Sequence, residues 1–549
     1  MALIDKASLL FVPSVVAQEK AFNILPSGNR APDSTDQNSG YDQTRADFDF
    51  DRGSNTAATR VNADGLIEKY RENFILHSQD FSNAVWQTNA SATISHGITD
   101  PNGGSTASRL TFAASVNSGL YQQNPTSFAS GNVRTASLYM KGSVGGEVVM
   151  FGDATNRTSV TLTTSWVRYE GFGVDASTYF IIYTNTSSPS ADTIDIAFVQ
   201  YENSLVATDY LESTSVTGKA GVLIDLPRID YSSGAGALLL EPSRQQLFQY
   251  SEYLEHSSWT KSNVTTTSNA AISPEGVQNA SKIIGTTSSN FTRAIVSVPA
   301  GDITMSAWVK SVDGSNIEFQ MGAGSLGASN VGTFIATSEW QRFDKLINIA
   351  TALTSDFGFF NKSGNQLNLY VYGAQLEAGS YVSSYIPNHG ESGGVTRAAD
   401  SCSVTGASDV IGQTEGTLFW EVDFGVNDSG EYPAVFLYDG TSNNRVLIQR
   451  RGNNQLLQYQ INAGGSNQVD EFSTTAVGSG KVKIAIAYKA NDFVLYLNGS
   501  QEASDTSGST FSGALSQIDF SNTRHDNTYQ LALFNERLSN EELATLTTL

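Results

Sequence analysis

Glu421 and Asp423 stand two residues apart inside an apolar run, Gly416-Thr-Leu-Phe-Trp-Glu-Val-Asp-Phe424, whose alternation reads as a strand. Extended chain aims both carboxylates to one side, and paired carboxyl groups are the machinery of glycoside hydrolysis. Carboxylates also collect Ca2+, and Asp423, Asp470 and Glu471 are the candidate ligands, although no Asp-x-Asp-x-Asp-Gly loop accompanies them. Sugar recognition calls for an aromatic surface beside amide and carboxylate hydrogen-bonding groups. Tyr432, Tyr438 and Tyr459 are the candidate carbohydrate platforms, because they have no counterpart elsewhere in the chain. The histidines, at 77, 96, 256, 389 and 525, fall in no metal-binding or protease spacing, and neither a Gly-x-Ser-x-Gly elbow nor a phosphate-cradling loop is present.

A second kind of chemistry is structural. Gln200-x-Glu202 and Gln375-x-Glu377 put a carboxylate inside apolar strands, where a buried charge needs a partner. Arg71 and Arg244, at matched places in the chain, are the expected partners, giving two latches, Arg71 with Glu202 and Arg244 with Glu377.

The match behind those latches is an internal repeat. Arg71-Glu-Asn-Phe-Ile-Leu-His-Ser-Gln-Asp-Phe-Ser-Asn-Ala-Val-Trp86 recurs 173 residues on as Arg244-Gln-Gln-Leu-Phe-Gln-Tyr-Ser-Glu-Tyr-Leu-Glu-His-Ser-Ser-Trp259. Pro101-Asn-Gly103 then falls on Pro274-Glu-Gly276, Thr135-Ala-Ser-Leu-Tyr-Met-Lys141 on Thr304-Met-Ser-Ala-Trp-Val-Lys310, and Ser165-Trp-Val-Arg-Tyr169 on Glu339-Trp-Gln-Arg-Phe343. Short alternating strands between turn-rich stretches describe an antiparallel two-sheet sandwich in each copy. The Arg-to-Trp stretch is expected as its first strand. The paired aromatics Trp86 with Trp259, Tyr139 with Trp308 and Trp166 with Trp340 are expected in its core.

The expected organisation is an extended N-terminal region (1–70), a first sandwich (71–213), a linker (214–243), a second sandwich (244–387), another linker (388–413) and a third, different sandwich (414–549). Each sandwich would follow the last along a fibre-like string. In the third, Asn498-Gly499 signals a hairpin, and residues 539–546 form the expected helix, with Ser539 as N-cap and Glu542 completing a capping box.

Composition agrees with an all-β, tandem-sandwich fold: of 549 residues 40% are hydrophobic and only 16% charged. Lys and Arg number 32 against 54 Asp and Glu, a net charge of -22, with no basic run. Nucleic acid is therefore not an expected partner. Cys402 is alone, so no intrachain disulfide is expected. The apolar residues 7–17 imitate a signal peptide, but Asp5 cancels Lys6 and Pro13 interrupts the run, so neither export nor membrane insertion is expected.

Asp49-Phe-Asp-Arg-Gly-Ser-Asn-Thr-Ala-Ala-Thr-Arg-Val-Asn-Ala-Asp-Gly-Leu-Ile-Glu68, Ala374-Gln-Leu-Glu-Ala-Gly-Ser-Tyr-Val-Ser-Ser-Tyr-Ile-Pro387 and Thr396-Arg-Ala-Ala-Asp400 resemble modular tail-fibre and other virion proteins of tailed bacteriophages. The repeats look like carbohydrate-binding-module jelly rolls. Residues 481–549, with Leu531-Ala-Leu-Phe-Asn-Glu-Arg-Leu-Ser-Asn-Glu-Glu-Leu543, look like a concanavalin A-like, laminin G-like sandwich. The resemblance implies a virion location, attachment to other virion proteins through the N-terminal region, host or mucosal glycans as ligands, and a homo-oligomer, a trimer being favoured. It leaves two rivals: a decorating protein without glycan binding, and a polysaccharide hydrolase. Concanavalin A-like glucanases carry Glu-x-Asp-x-(x)-Glu on one strand. Here Gly425 and Val426 stand where the second Glu belongs, so the chain is expected not to be an enzyme and Glu421 to sit on a solvated strand face.

Overall fold

The computed structural model describes residues 3–17, 20–24, 48–54, 57–123, 131–184, 189–224, 226–362, 364–426, 430–511, 515–520 and 526–549. His525 and residues 25–47 of the expected N-terminal region lie outside them. The regular structure of the described chain is almost entirely antiparallel strands, which confirms the all-β tandem-sandwich class. The repeats fold identically in topology. The first sandwich stacks Arg157–Thr161, Val148–Asp153, Tyr179–Thr184, Gly119–Gln123 and Trp86–Asn89 against a sheet ordered Val167–Val174, Val133–Gly142, Thr193–Glu202, Ala107–Thr111 and Thr93–Ile98. The second sandwich repeats both orders strand for strand, from Trp259–Ser262 to Asn368–Ala378.

Trp86 and Trp259 are buried between the sheets, as their repetition suggested. The other pairs are not. Tyr139 and Trp166, and likewise Trp308 and Trp340, project from the opposite side of the second sheet into small satellite clusters. The same alternation that buries Leu138 and Met140, or Ala307 and Val309, turns them outward. Lys141 lies over the Trp166 ring at 4.9 Å and Lys310 over Trp340 at 5.0 Å. Nor is the Arg-to-Trp stretch one strand. Arg71–Asn73 and Arg244–Gln246 pair with Gly218–Ala220 and Val395–Arg397 outside the sandwich sheets, and a turn separates them from the strands that Trp86 and Trp259 begin.

The third sandwich corrects the string. Its strand Asp526–Phe534 pairs with Glu415–Phe424 on one edge. Along the other it carries Ala237–Leu240 and Leu9–Ala17. Its second sheet accepts Asp49–Asp51 and Ser401–Thr405. Leu9, Phe11, Phe48, Ile229, Leu238, Cys402 and Val404 are all part of its core. Parts of the expected N-terminal region and of both linkers are thus strands of this sandwich, whose hydrophobic faces needed more strands than residues 414–549 supply.

Buried ion pairs fasten the same segments. Arg228 pairs with Glu241 at 2.7 Å and with Asp400, and Arg397 pairs with Glu241 at 3.1 Å. All four are no more than 4% exposed. Lys69, from the stretch before the first sandwich, reaches Glu252 and Glu275 of the second at 3.0 and 2.8 Å. Burial opposes its charge, yet the two carboxylates hold its pKa above the ordinary lysine range. First and second sandwiches meet where the His389 carbonyl accepts from Val133 at 2.6 Å and Phe172 packs on Tyr253. The described residues contain no helix long and apolar enough to cross a membrane.

Candidate carbohydrate-binding face

The outer side of the third sandwich's seven-stranded sheet carries a row of hydrogen-bonding residues with no counterpart in the repeats. In register, Phe436 has Leu447, Gln460 and Asp470 to one side and Asp519, Ser403 and Asp49 to the other. The adjoining rows are Tyr438, Arg445 and Asn462, and Gln449, Gln458 and Phe472. Strand alternation makes this side: Gln458, Gln460 and Asn462 point outward while Leu457, Tyr459 and Ile461 point into the core.

The polar groups hold one another in place. Gln449 Nε2 and Arg451 Nη1 both donate to Gln458 Oε1, the latter at 3.0 Å, and Gln458 Nε2 donates to Asp470. Arg445 donates to Gln460, and the Tyr438 hydroxyl donates to Asp519 Oδ2 at 3.2 Å. Burial, then the Asp519 charge, raises the Tyr438 phenol, which keeps it a donor at neutral pH. Phe436 and Tyr438 lie 6.4 Å apart, and Phe472 is 40% exposed at the margin. Half-exposed rings among fixed amides, a guanidinium and carboxylates can stack on a sugar and hydrogen-bond its hydroxyls.

Of the sequence candidates, Tyr438 and Asp470 belong to this face. Tyr432 stands at its rim, with the Arg451 guanidinium 5.5 Å from its ring centre. Tyr459 does not belong: it is fully buried between Leu457 and Ile461. The proposed Ca2+ ligands are scattered. Asp423 is on the outer side of the opposite sheet, accepting from Gly480 N at 3.0 Å, and Glu471 points to the other side of its strand from Asp470. Among the described residues no three acidic, His or Cys side chains converge on a metal-sized site. Glu421, beside Asp423, faces Lys481 at 3.5 Å. Phe436, Arg445 and the amides Gln449, Gln458, Gln460 and Asn462 were not singled out from sequence, although the alternation that sends Tyr459 into the core turns Gln458, Gln460 and Asn462 to the outer side.

Neither latch forms as expected. Glu202 accepts from the Thr208 amide and hydroxyl at 2.9 and 2.6 Å and from Gln200 at 2.6 Å; Glu377 does the same with Ser383 and Gln375. Arg244 instead bonds Glu431, at 2.8 Å, and lies over Tyr381, so it ties the second sandwich to the third. Arg71 acts on Glu202 only through its field, which opposes the upward push of burial on that carboxyl. The repeated arginine that serves each Gln-x-Glu turn is a different one. Arg168 donates to the Thr208 carbonyl at 2.7 Å and Arg342 to the Ser383 carbonyl at 2.8 Å. The matched Trp-x-Arg at 166–168 and 340–342 was the signal for it.

The fold defines a class, a closed assembly of three antiparallel sandwiches. No protein-family model matches the chain, and no curated protein does. Solved structures similar to parts of it include the CBM40 of a Ruminococcus gnavus IT-sialidase bound to alpha2,3 sialyllactose (13% identity, 26% of this chain and 87% of that one, TM-score 0.23). Others are the tandem CBM22 pair of Paenibacillus barcinonensis Xyn10C (11%, 60% and 100%, 0.24) and the Caenorhabditis elegans galectin LEC-6 (12%, 24% and 88%, 0.19). Likenesses this distant bear on neither ligand nor activity.

Proposed function

We propose that this chain is a component of a tailed-bacteriophage particle that recognises carbohydrate on the host or its surroundings, by binding and not by hydrolysis. The observation that carries the binding half is the outer face of the third sandwich, where Phe436 and Tyr438 sit among Arg445, Gln449, Gln458, Gln460 and Asp470 in a mutually hydrogen-bonded array. Binding is favoured over hydrolysis because the carboxylate pair of the strand Glu415–Phe424 lies on the opposite sheet, with Lys481 against Glu421. The particle half is supported by the virion-protein resemblance of residues 49–68, 374–387 and 396–400, and carries with it self-association, a trimer being favoured.

A glycan array probed with the full chain tests the reading. Binding to bacterial or mucosal oligosaccharides should fall by roughly tenfold or more in Tyr438→Ala and Gln460→Ala, the loss typical of a central contact. An array on which the full chain binds nothing, or on which both variants bind as wild type, rejects this face as the site.

A further inference from the structure

The first sandwich carries a different unrepeated surface, on the outer side of its sheet ordered from Arg157–Thr161 to Trp86–Asn89. Register sets Tyr121 between Gln87 and Ile181, Gly119 between Asn89 and Tyr183, and Gln123 opposite Tyr179. Three tyrosines therefore share one side across two adjacent strands. Tyr121 and Tyr179 meet edge to face, centroids 5.9 Å apart. The Tyr183 ring folds across Gly119, where a Cβ would come within 2.7 Å of it. The Tyr121 hydroxyl donates to Gln87 Oε1 at 2.6 Å.

The two further strands bring Met150, Ser159 and Arg157 to the same side. Arg157 donates from Nε to the Ala154 carbonyl at 2.7 Å, and its terminal nitrogens have no partner among the described residues. Its charge reaches the Tyr183 phenol, which burial raises and which Asn89 and Arg157 draw back down. None of the register positions on this side is Asp or Glu, in a chain of net charge -22. An acid-free aromatic surface with one fixed guanidinium is complementary to a carboxylate.

The second sandwich has closed the equivalent surface. Its matching strands put Arg293 where Tyr121 stands, Asp356 for Tyr179 and Phe360 for Tyr183. Arg293 and Asp356 neutralise each other at 2.9 Å. Ser325 N caps Asp356 at 3.0 Å, and Gly324 tucks beneath Phe360.

We propose that this side of the first sandwich is a binding site for a carboxylate-bearing sugar. In an oligomer of such sugars one ring stacks on Tyr121 and Tyr179, hydroxyls meet Gln87, Asn89 and Gln123, and the carboxylate of a neighbouring unit meets Arg157, four strands from Gln87. The site is separate from the third-sandwich face and shares with it only the glycan character of the ligand.

Calorimetric titration of the full chain with a galacturonate tetramer and its neutral galactose counterpart tests this. The acidic oligomer should bind more tightly, by roughly tenfold. Tyr179→Ala, a truncation at a 39% exposed ring that spares the fold, should abolish that binding, and Arg157→Gln should erase the preference for acid over neutral sugar. Tyr438→Ala should leave it unchanged. Failure of galacturonate and of a glucuronate-containing tetramer to bind, equal binding of the neutral oligomer, or insensitivity to Tyr179→Ala each overturn the site. Loss in Tyr438→Ala alone would assign acidic-sugar binding to the third sandwich, overturning this proposal while leaving that face intact.

Discussion

A half-buried guanidinium whose donors end on a main-chain carbonyl and a serine hydroxyl cannot be truncated without leaving both unpaired. Arg342 is such a residue, donating to the Ser383 carbonyl and to Ser306 Oγ and stacking on Trp308 at 4.2 Å. Arg342→Ala should destabilise the second sandwich by about 2–4 kcal/mol. Arg244→Ala should loosen the contact with the third sandwich and cost less within the second. Thermal melts of the two variants separate these, and a larger loss in Arg244→Ala would restore the expected latch. A second residue-scale effect is acid–base. Burial and a hydrogen bond with Asp153 push the Asp175 carboxyl up to about 7. A carboxyl raised in the folded state gives stability that is fully present below its unfolded value and lost as pH rises through the folded one, so stability should fall between about pH 4 and pH 7. Half-buried His389, lowered to about 4 chiefly by desolvation of its ring, works the other way, losing stability as pH falls from 6.5 to 4. Asp175→Asn should remove the first slope alone, with no gain in stability at pH 8, because it also takes the carboxylate away from buried Arg134, 3.2 Å off. A melting profile that keeps its full slope in the variant would show that Asp175 is not its source.

Elements explain where sequence reading succeeded. The helix Asn540–Thr547 carries the capping box read from Ser539 and Glu542, and Ser539→Ala should cost about 1 kcal/mol, measurable as a lower melting temperature. Asn498 and Gly499 turn the hairpin between Asp492–Leu497 and Ser500–Asp505 in left-handed backbone, φ 49° and 85°. These are local signals. The repeat was legible for a related reason: duplicated strands report their own register to each other. What stayed hidden were pairings between distant short strands. Ile229–Asp230 is two residues long and Asp49–Asp51 three, and no periodicity reveals such a strand. The candidate face was half legible for the same reason. Tyr438 could be picked by type, but its partner Asp519, and Asp49 further along the same face, come from strands far apart in the chain. A fragment of residues 414–549 should consequently fail to fold cooperatively. It lacks Leu9, Phe11, Phe48, Leu238 and Val404, each contributing about 1.5–3 kcal/mol of burial. A sharp melting transition in that fragment would show the added strands to be dispensable.

At the scale of the whole molecule the chain is closed on itself, and its first strand is the test of that closure. Leu9–Ala17 lies along Asp526–Phe534 with Leu9 opposite Leu533. Leu9 and Phe11 enter the core of the third sandwich while Ala7 and Leu10 cover Phe419, Phe534 and the helix residue Leu543 on its other side. Lys6 adds contacts to Glu536 and Glu542 at 3.2 and 2.6 Å, but these are solvent-exposed and contribute little. Deleting residues 1–17 would therefore strip apolar cover from both sides of one sheet and leave half the edge of Asp526–Phe534 unpaired. Such an edge pairs with whatever strand it meets. The truncated chain should melt several degrees lower than the full one and elute from size-exclusion columns as larger, concentration-dependent species. If the sandwiches were instead strung in sequence, with the N-terminal region free to attach elsewhere, the same deletion would leave both melting and elution unchanged. A virion anchor built on this region would have to work with the strand in place, because removing the strand to test attachment also opens the third sandwich. A point substitution at exposed Asp51, which lies outside the Phe436 row and leaves Leu9 and Phe11 buried, is the cleaner probe of attachment.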